Sequence, residues 1–179
     1  MKINQILSML FLLLFGICCS SNDDVETDEN QENTVQGTIR LTGDETSEFG
    51  TSLAVGNIEV ANTVLTGTDK SVVLLSENIT VENNELVFDE SDLNGFVIVA
   101  ADFTTGGSPD IEKTISMNIT SDGEEFLYAC SSPFRNFFIA CGEGYQVDFE
   151  AKTVTFEGTT VINTENDIVL TMDGVITWN

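Results

Sequence analysis

Along residues 34–179 apolar side chains fall at every second position in short runs rich in Val, Ile, Thr and Phe, and turn-forming residues separate the runs. A period of two puts alternate side chains on one face of a strand, so this pattern predicts half-buried β-strands. No stretch keeps a helical period of useful length, and no internal repeat stands out. Several hairpins follow from register. Around Asp122-Gly123 the pattern sets Ile119 against Phe126, Met117 against Tyr128 and Ile115 against Cys130, all on one face. A slip of one residue would turn every pair to the wrong side. Asn83-Asn84 likewise pairs Val81 with Leu86 and Ile79 with Phe88. A Gly56-Asn57 turn would bring Val55 opposite Ile58 and Leu53 opposite Val60, and one at Ala151-Lys152 would bring Phe149 opposite Val154 and Val147 opposite Phe156. Near the end, Ile168, Leu170, Met172, Ile176 and Trp178 alternate with polar neighbours and predict a strand with one buried face.

Successive hairpins without intervening helices predict an all-β fold, an antiparallel meander of hairpins forming a β-sandwich or a closed up-and-down barrel. Parallel α/β folds are disfavoured. Residues 104–110, Thr-Thr-Gly-Gly-Ser-Pro-Asp, offer no side chain for a core and predict a surface loop. About 145 residues suit a single all-β domain, 34–179, that buries about two thirds of its unfolded surface.

Ahead of this domain the pattern changes. Lys2 precedes an apolar run over residues 6–17. The run is about a dozen residues long where a bilayer-spanning helix needs roughly twenty, which favours a cleaved signal over a permanent membrane helix. It ends at Cys18-Cys19, and polarity switches at once to Ser20-Ser21-Asn22-Asp23-Asp24. The segment resembles a bacterial lipoprotein signal, in which a cysteine is lipidated and the chain is cleaved just before it. The resemblance implies a signal peptide over residues 1–18 and lipidation of Cys19, with Cys18 as the alternative. Cys19 is favoured because cleavage prefers a small residue before the cysteine. With about 0.8 kcal/mol per buried methylene, several acyl chains would hold the protein permanently to the membrane.

Residues 19–33 would then be the lipidated cysteine and its tether. From residue 20 this stretch has six acidic side chains, no basic or aromatic one, and a single aliphatic, Val25. It buries too little to offset its ordering entropy. An acid-rich stretch directly after the cysteine is also similar to the surface-export signal of lipoproteins from Bacteroidota-type bacteria. That likeness implies an outer-membrane lipoprotein displayed at the cell surface, with a periplasm-facing one as the alternative.

Acidic residues outnumber basic ones 30 to 6, for a formal charge of −24. Only six of the acids lie in the tether, so the domain itself is strongly negative and would repel phosphate backbones. Nucleic acid is excluded as a partner. Cationic ligands or basic proteins would be attracted, although solubility in a saline exterior explains the charge more simply.

Cys130 and Cys141 flank a short segment with the apolar run Phe137-Phe138-Ile139-Ala140. In an oxidising exterior two cysteines on adjoining strands are most simply a disulfide, and the chain has no His to activate a thiolate or complete a zinc site. Phe134 and Arg135 would sit at the tip of that loop, an aromatic beside a guanidinium of the kind enriched where partners make contact. The bland reading is that Phe134 folds back over the core.

Glu90-Ser91-Asp92-Leu93-Asn94-Gly95 resembles the opening of a calcium loop, which would make Glu90, Asp92 and Asn94 oxygen ligands. The match is partial, since Ala101 stands where a bidentate Glu belongs, and an ordinary acidic turn is the simpler reading. Apart from calcium no cofactor is implied. Carboxylates paired by folding could support a hydrolase, yet Asp44-Glu45 and Glu124-Glu125 sit beside turns and are expected to be solvated. No Ser-His-Asp set, phosphate loop or dinucleotide fingerprint is present.

The expectation is therefore a non-catalytic binding or protein-interaction module, anchored to the membrane by lipid and serving an envelope protein or a small ligand. Its signal and architecture resemble those of small surface lipoproteins of Bacteroidota-type bacteria. The alternative is a lipocalin-like carrier of a small apolar or glycan ligand, which a hollow interior would mark.

Overall fold

A computed structural model describes residues 34–89, 91–104, 111–133 and 138–179. They belong to one compact unit, Glu32–Asn179. The chain opens with β1 (Val35–Gln36), β2 (Thr38–Thr42), the single-turn helix α1 (Thr46–Phe49), β3 (Ser52–Ala54), β4 (Asn57–Val60) and a second single turn, α2 (Thr63–Thr66). Then come β5 (Ser71–Leu75), β6 (Ile79–Glu82), β7 (Glu85–Phe88), β8 (Gly95–Asp102), β9 (Lys113–Ser121) and β10 (Glu124–Ser132). The last strands are β11 (Gln146–Asp148), β12 (Thr153–Asn163) and β13 (Val169–Trp178). Among the described residues no helix is long and apolar enough to cross a membrane.

The fold is all-β and antiparallel. One sheet, curled into a half-barrel, runs in the order β3-β2-β13-β12-β10-β9-β8-β5-β4, with β1 alongside β13 and β11 alongside β12. The two ends of that order, β3 and β4, are consecutive in the chain and joined by Val55-Gly56 alone. The Val55 N–H donates to the Gly37 carbonyl at 3.1 Å, and the Gly56 N–H to the Leu75 carbonyl at 2.9 Å. Residues 52–60 therefore form one kinked strand that leaves β2 and passes to β5.

The hairpin expected at Gly56-Asn57 does not form, because Gly56 serves a close approach and not a turn. A Cβ at that position would lie 2.5 Å from Glu77 Cα, nearer than any side chain tolerates. The turns at Asn83-Asn84 and Asp122-Gly123 behave as the pattern predicts. Asn83 (φ 53°), Asn84 (φ 64°), Asp122 (φ 51°) and Gly123 (φ 83°) all take the left-handed backbone of a tight hairpin. Their strands pair in the expected registers, Val81 with Leu86, Ile119 with Phe126 and Met117 with Tyr128. The register at β11 differs by two residues: Val147 faces Val154, not Phe156. Phe149 belongs to a four-residue turn, fixed by the Asp148 carboxylate, which accepts the N–H groups of Glu150 and Ala151 at 2.9 and 2.8 Å.

Inner-face side chains of the curled sheet form one cluster that includes Ile98, Met117, Tyr128, Phe156, Leu170 and Met172. Strand β5 is buried on both faces. Val72 and Leu74 join the inner cluster, whereas Val73 and Leu75 meet Ile79 of the separate β6–β7 hairpin, with half-buried Val81, Leu86 and Val97 around them. The hairpin thus lies over the outer face of the sheet.

Candidate functional site

Strands β10 and β12 pair at only two positions, Tyr128 with Asn163 and Ala129 with Ile162. Past them the strands diverge. A register shift in β12 between Phe156 and Thr159 accompanies the divergence, and at this bulge the Gly158 N–H (φ 58°) turns to the Asp173 carboxylate at 2.8 Å. Residues 139–141 fill the opening as a wedge. Ser131 N–H donates to the Ile139 carbonyl at 2.9 Å, and Thr160 N–H to the Cys141 carbonyl at 3.2 Å. The Thr160 hydroxyl adds a bond to the Ala140 carbonyl at 2.9 Å, and Cys141 N–H one to Ser132 Oγ at 3.1 Å.

The disulfide Cys130–Cys141, with Cα atoms 5.1 Å apart, fixes this wedge to β10. Its half-cystines do not lie on two adjoining strands, as the sequence suggested. They join a strand to the irregular segment that follows it.

Four residues past the wedge, Tyr145 enters the core and is fully buried. Its ring stacks on Phe156 at 5.9 Å, and its hydroxyl lies 3.1 Å from the carbonyl oxygens of both Ala101 and Thr114, donating between β8 and β9. Burial, and then the charge of Asp102, push its phenol well above the usual value, so it stays neutral. Lys113 Nζ donates to the Tyr145 carbonyl and lies 3.9 Å from the buried Asp102 carboxylate. Asp102 in turn accepts the N–H and hydroxyl of Thr104 at 3.0 and 2.6 Å.

At the other end Glu45, just before α1, is only 9% exposed. It accepts hydrogen bonds from the Tyr128 hydroxyl, from Asn163 Nδ2 at 3.0 and 3.1 Å, and from Asn166 Nδ2 at 2.6 Å. Burial pushes the Glu45 carboxyl up, but the bonds from Tyr128, Asn166 and Asn163 together outweigh it and hold the group below the usual value. Burial, the bond to Glu45 and its negative charge raise the Tyr128 phenol in return. Phe49 of α1 packs edge-on against Phe126 at 5.0 Å and Tyr128 at 6.2 Å. The expectation that Glu45 is solvated is corrected here. Glu124 and Glu125 are exposed, as their place beside a turn suggests.

Two recesses lie outside the inner cluster. A cavity of about 230 Å³ sits between the β6–β7 hairpin and the outer face of β8–β10, lined by Leu86, Phe88, Leu93, Val97, Asn118 and Glu125, among others. A wider depression of about 650 Å³ is lined in part by Asn78, Asp89, Asp92 and Asn94. These last two are the calcium candidates, and their oxygens already hold the loop. Asp92 accepts the Asn94 N–H at 3.1 Å, and Asn94 Oδ1 accepts the Asp122 N–H at 2.7 Å. Asn78 Nδ2 donates to the carbonyls of both, at 2.7 and 2.6 Å.

Glu90 lies outside the described residues, as do Cys18, Cys19, Phe134, Arg135 and positions 105–110 of the expected surface loop. Among the described residues no group of three or more His, Cys, Asp or Glu is placed to hold a metal ion. No protein-family model, curated protein or solved structure matches the chain.

Proposed function

We propose that the chain is an outer-membrane lipoprotein, displayed at the cell surface, whose all-β domain is a non-catalytic binding module that recognises partners on its outer face. The apolar run ending at Cys18-Cys19 and the acidic tether support the anchoring. The observation that carries the outer-face reading is the filling of the inner cluster. Tyr128, Tyr145, Phe156, Met117, Leu170 and Met172 are each less than 2% exposed and pack together, and Tyr145 and Phe49 bring aromatic rings over its two ends.

The strand order supports the finer reading of a closed up-and-down barrel over a sandwich. Residues 52–60 join both sheet ends, and the wedge at 139–141 completes the wall between β10 and β12. A small barrel filled by its own side chains has no room for a lipocalin-like cargo. Catalysis is not part of the reading, because the two buried carboxylates among the described residues are both engaged, Glu45 by three donor side chains and Asp102 by Thr104 and Lys113, and the chain has no His.

Titration with a fluorescent long-chain fatty acid tests the division between outer face and interior. No saturable uptake is expected. One-to-one binding that protects inner-face amides would reverse the conclusion in favour of a carrier.

A further inference from the structure

We propose that β7 is the docking edge for an extended, basic segment of a partner protein, which adds a third strand to the β6–β7 hairpin and lodges one large apolar side chain in the cavity beside it. This rests on the reading of the outer face as the recognition surface and names its partner. The backbone comes first. Among the described residues β7 pairs with β6 alone. In a tight two-residue hairpin such as that at Asn83-Asn84, the flanking pair Glu82–Glu85 and then Thr80–Val87 exchange hydrogen bonds, and the Asp89 N–H continues the ladder to the Asn78 carbonyl at 3.0 Å. Alternation then turns the N–H and carbonyl groups of Leu86 and Phe88 away from β6, toward the open edge. Such an edge is a template for a further strand, and a two-stranded sheet is the kind that a third strand stabilises.

The cavity lies in the path of that strand. The hairpin packs on Val73 and Leu75 of β5 and on Val97 and Val99 of β8. The cavity extends past it, with Leu86 and Phe88 in one wall and Asn118, Thr120 and Glu125 of β9 and β10 in its floor. Register carries the row from Val97 through Asn118 to Leu127, which is 37% exposed. Side chains of an added strand alternate between two faces as those of β7 do, so every second one would point at this floor. An apolar cavity of about 150 Å³ holds benzene. At about 230 Å³ this one takes a single large side chain, which would also cover Phe88 and Leu93, now 53 and 66% exposed.

Charge selects the partner. Glu125 lines the cavity, Glu85 is exposed on β7, and Asp89 and Asp92 line the depression that shares Gly95 and Phe96 with the cavity. From residue 71 to residue 134 the only basic side chain is Lys113, at the far end of β9 and paired with Asp102. A second copy of the domain would bring the same negative edge and be repelled, whereas Lys or Arg on the outward face of an added strand meets Glu85.

The probe is the peptide Lys-Thr-Lys-Phe-Lys-Thr-Lys with blocked ends, titrated into the full chain and followed by amide-resolved NMR and amide exchange. It should bind saturably, shift Leu86, Val97 and Leu127, and slow exchange of the Leu86 and Phe88 N–H groups. Ala in place of Phe should weaken binding about tenfold, and N-methylation of the Phe amide, which removes one edge hydrogen bond, about fivefold. Glu in place of every Lys should abolish it. Leu93→Ala, at an exposed position where folding is not at stake, should weaken the Phe peptide and leave the Ala peptide unchanged. Binding without protection of Leu86 and Phe88, or without loss on N-methylation, would overturn strand addition. Equal binding of the Phe and Ala peptides would overturn the role of the cavity, and equal binding of the Lys and Glu peptides the basic partner. Protection of the same two N–H groups on concentrating the chain alone would give the edge to a second copy and overturn the proposal. No binding with about 1 mM peptide would overturn the docking edge and leave the filled-core reading intact. Shifts at Ile98, Met117 and Met172 instead would overturn both this edge and the outer-face reading.

Discussion

Replacing Cys130 and Cys141 together by Ala removes the covalent link that holds residues 139–141 against β10. The half-cystines are separated by 11 in sequence, and closing so short a loop in the unfolded chain is worth about 3 kcal/mol in the chain-entropy treatment. An unfolding entropy of about 2.1 cal/mol/K per residue gives a domain of this length about 0.3 kcal/mol/K, so the same loss lowers Tm by about 10 °C. The native state should suffer unevenly. The wedge is held by a few backbone bonds to Ser131 and Thr160 and by no long ladder, so amide exchange at residues 139–147 should accelerate more than in β9 or β13. Calorimetry gives the first quantity and exchange mass spectrometry the second, with wild type reduced by a phosphine expected to match the double variant. A Tm drop under about 2 °C with unchanged exchange would refute the reasoning, because the buried Tyr145 would then secure the segment unaided.

Two other outcomes follow from the same contacts. The Glu45 carboxyl is held below its unfolded value of 4.5, so it contributes stability above about that pH and loses it as pH falls through the folded value. Glu45→Ala should cost about 3 kcal/mol in urea unfolding at pH 7, leaving Tyr128, Asn163 and Asn166 without their acceptor, and the gap to wild type should narrow below pH 4.5; a gap independent of pH would exclude the charge as its source. Cells fed labelled palmitate should yield lipid-bearing, surface-accessible protein, and Cys19→Ala should yield none; unlabelled, uncleaved protein in the cytosol would remove the anchor.

What the sequence disclosed depended on how local the deciding contact is. Asp122-Gly123 and Asn83-Asn84 carry their own turn chemistry, and their registers were legible to the residue. Gly56-Asn57 carries the same signal, but its glycine answers to Glu77, 21 residues on, which no window around the turn contains. The Asp148 turn was legible in principle, since an Asp followed by two free N–H groups is a local device. Glu45 was not, because its donors lie 83, 118 and 121 residues away. The half-cystines could be paired from the oxidising milieu that the signal implies, while their use in mending a gap between β10 and β12 depended on a bulge that hydrophobic alternation does not report. Of the outer cavity, the pattern showed only that Leu86 and Phe88 lie on paired strands, not that their hairpin folds over β8.

Two insertions interrupt the meander, and their energetics point in opposite directions. The one between β10 and β12 is tied down by a disulfide, by Lys113 bonded to the Tyr145 carbonyl, and by a buried phenol shared between two strands. Opening it would break all three and expose Tyr145 and Phe156 to water, so the interior is the most expensive place on the molecule to admit a guest. The β6–β7 hairpin is tied more lightly, by Asn57 Nδ2 donating to the Ile79 carbonyl at 2.9 Å and Asn62 Nδ2 to Asn84 Oδ1 at 3.2 Å. It rests on Ile79, Val81 and Leu86 and leaves Phe88 and Val87 exposed. A guest lodged beside it breaks neither the disulfide nor the Tyr145 bonds, which supports the proposal that recognition takes place on the outer face.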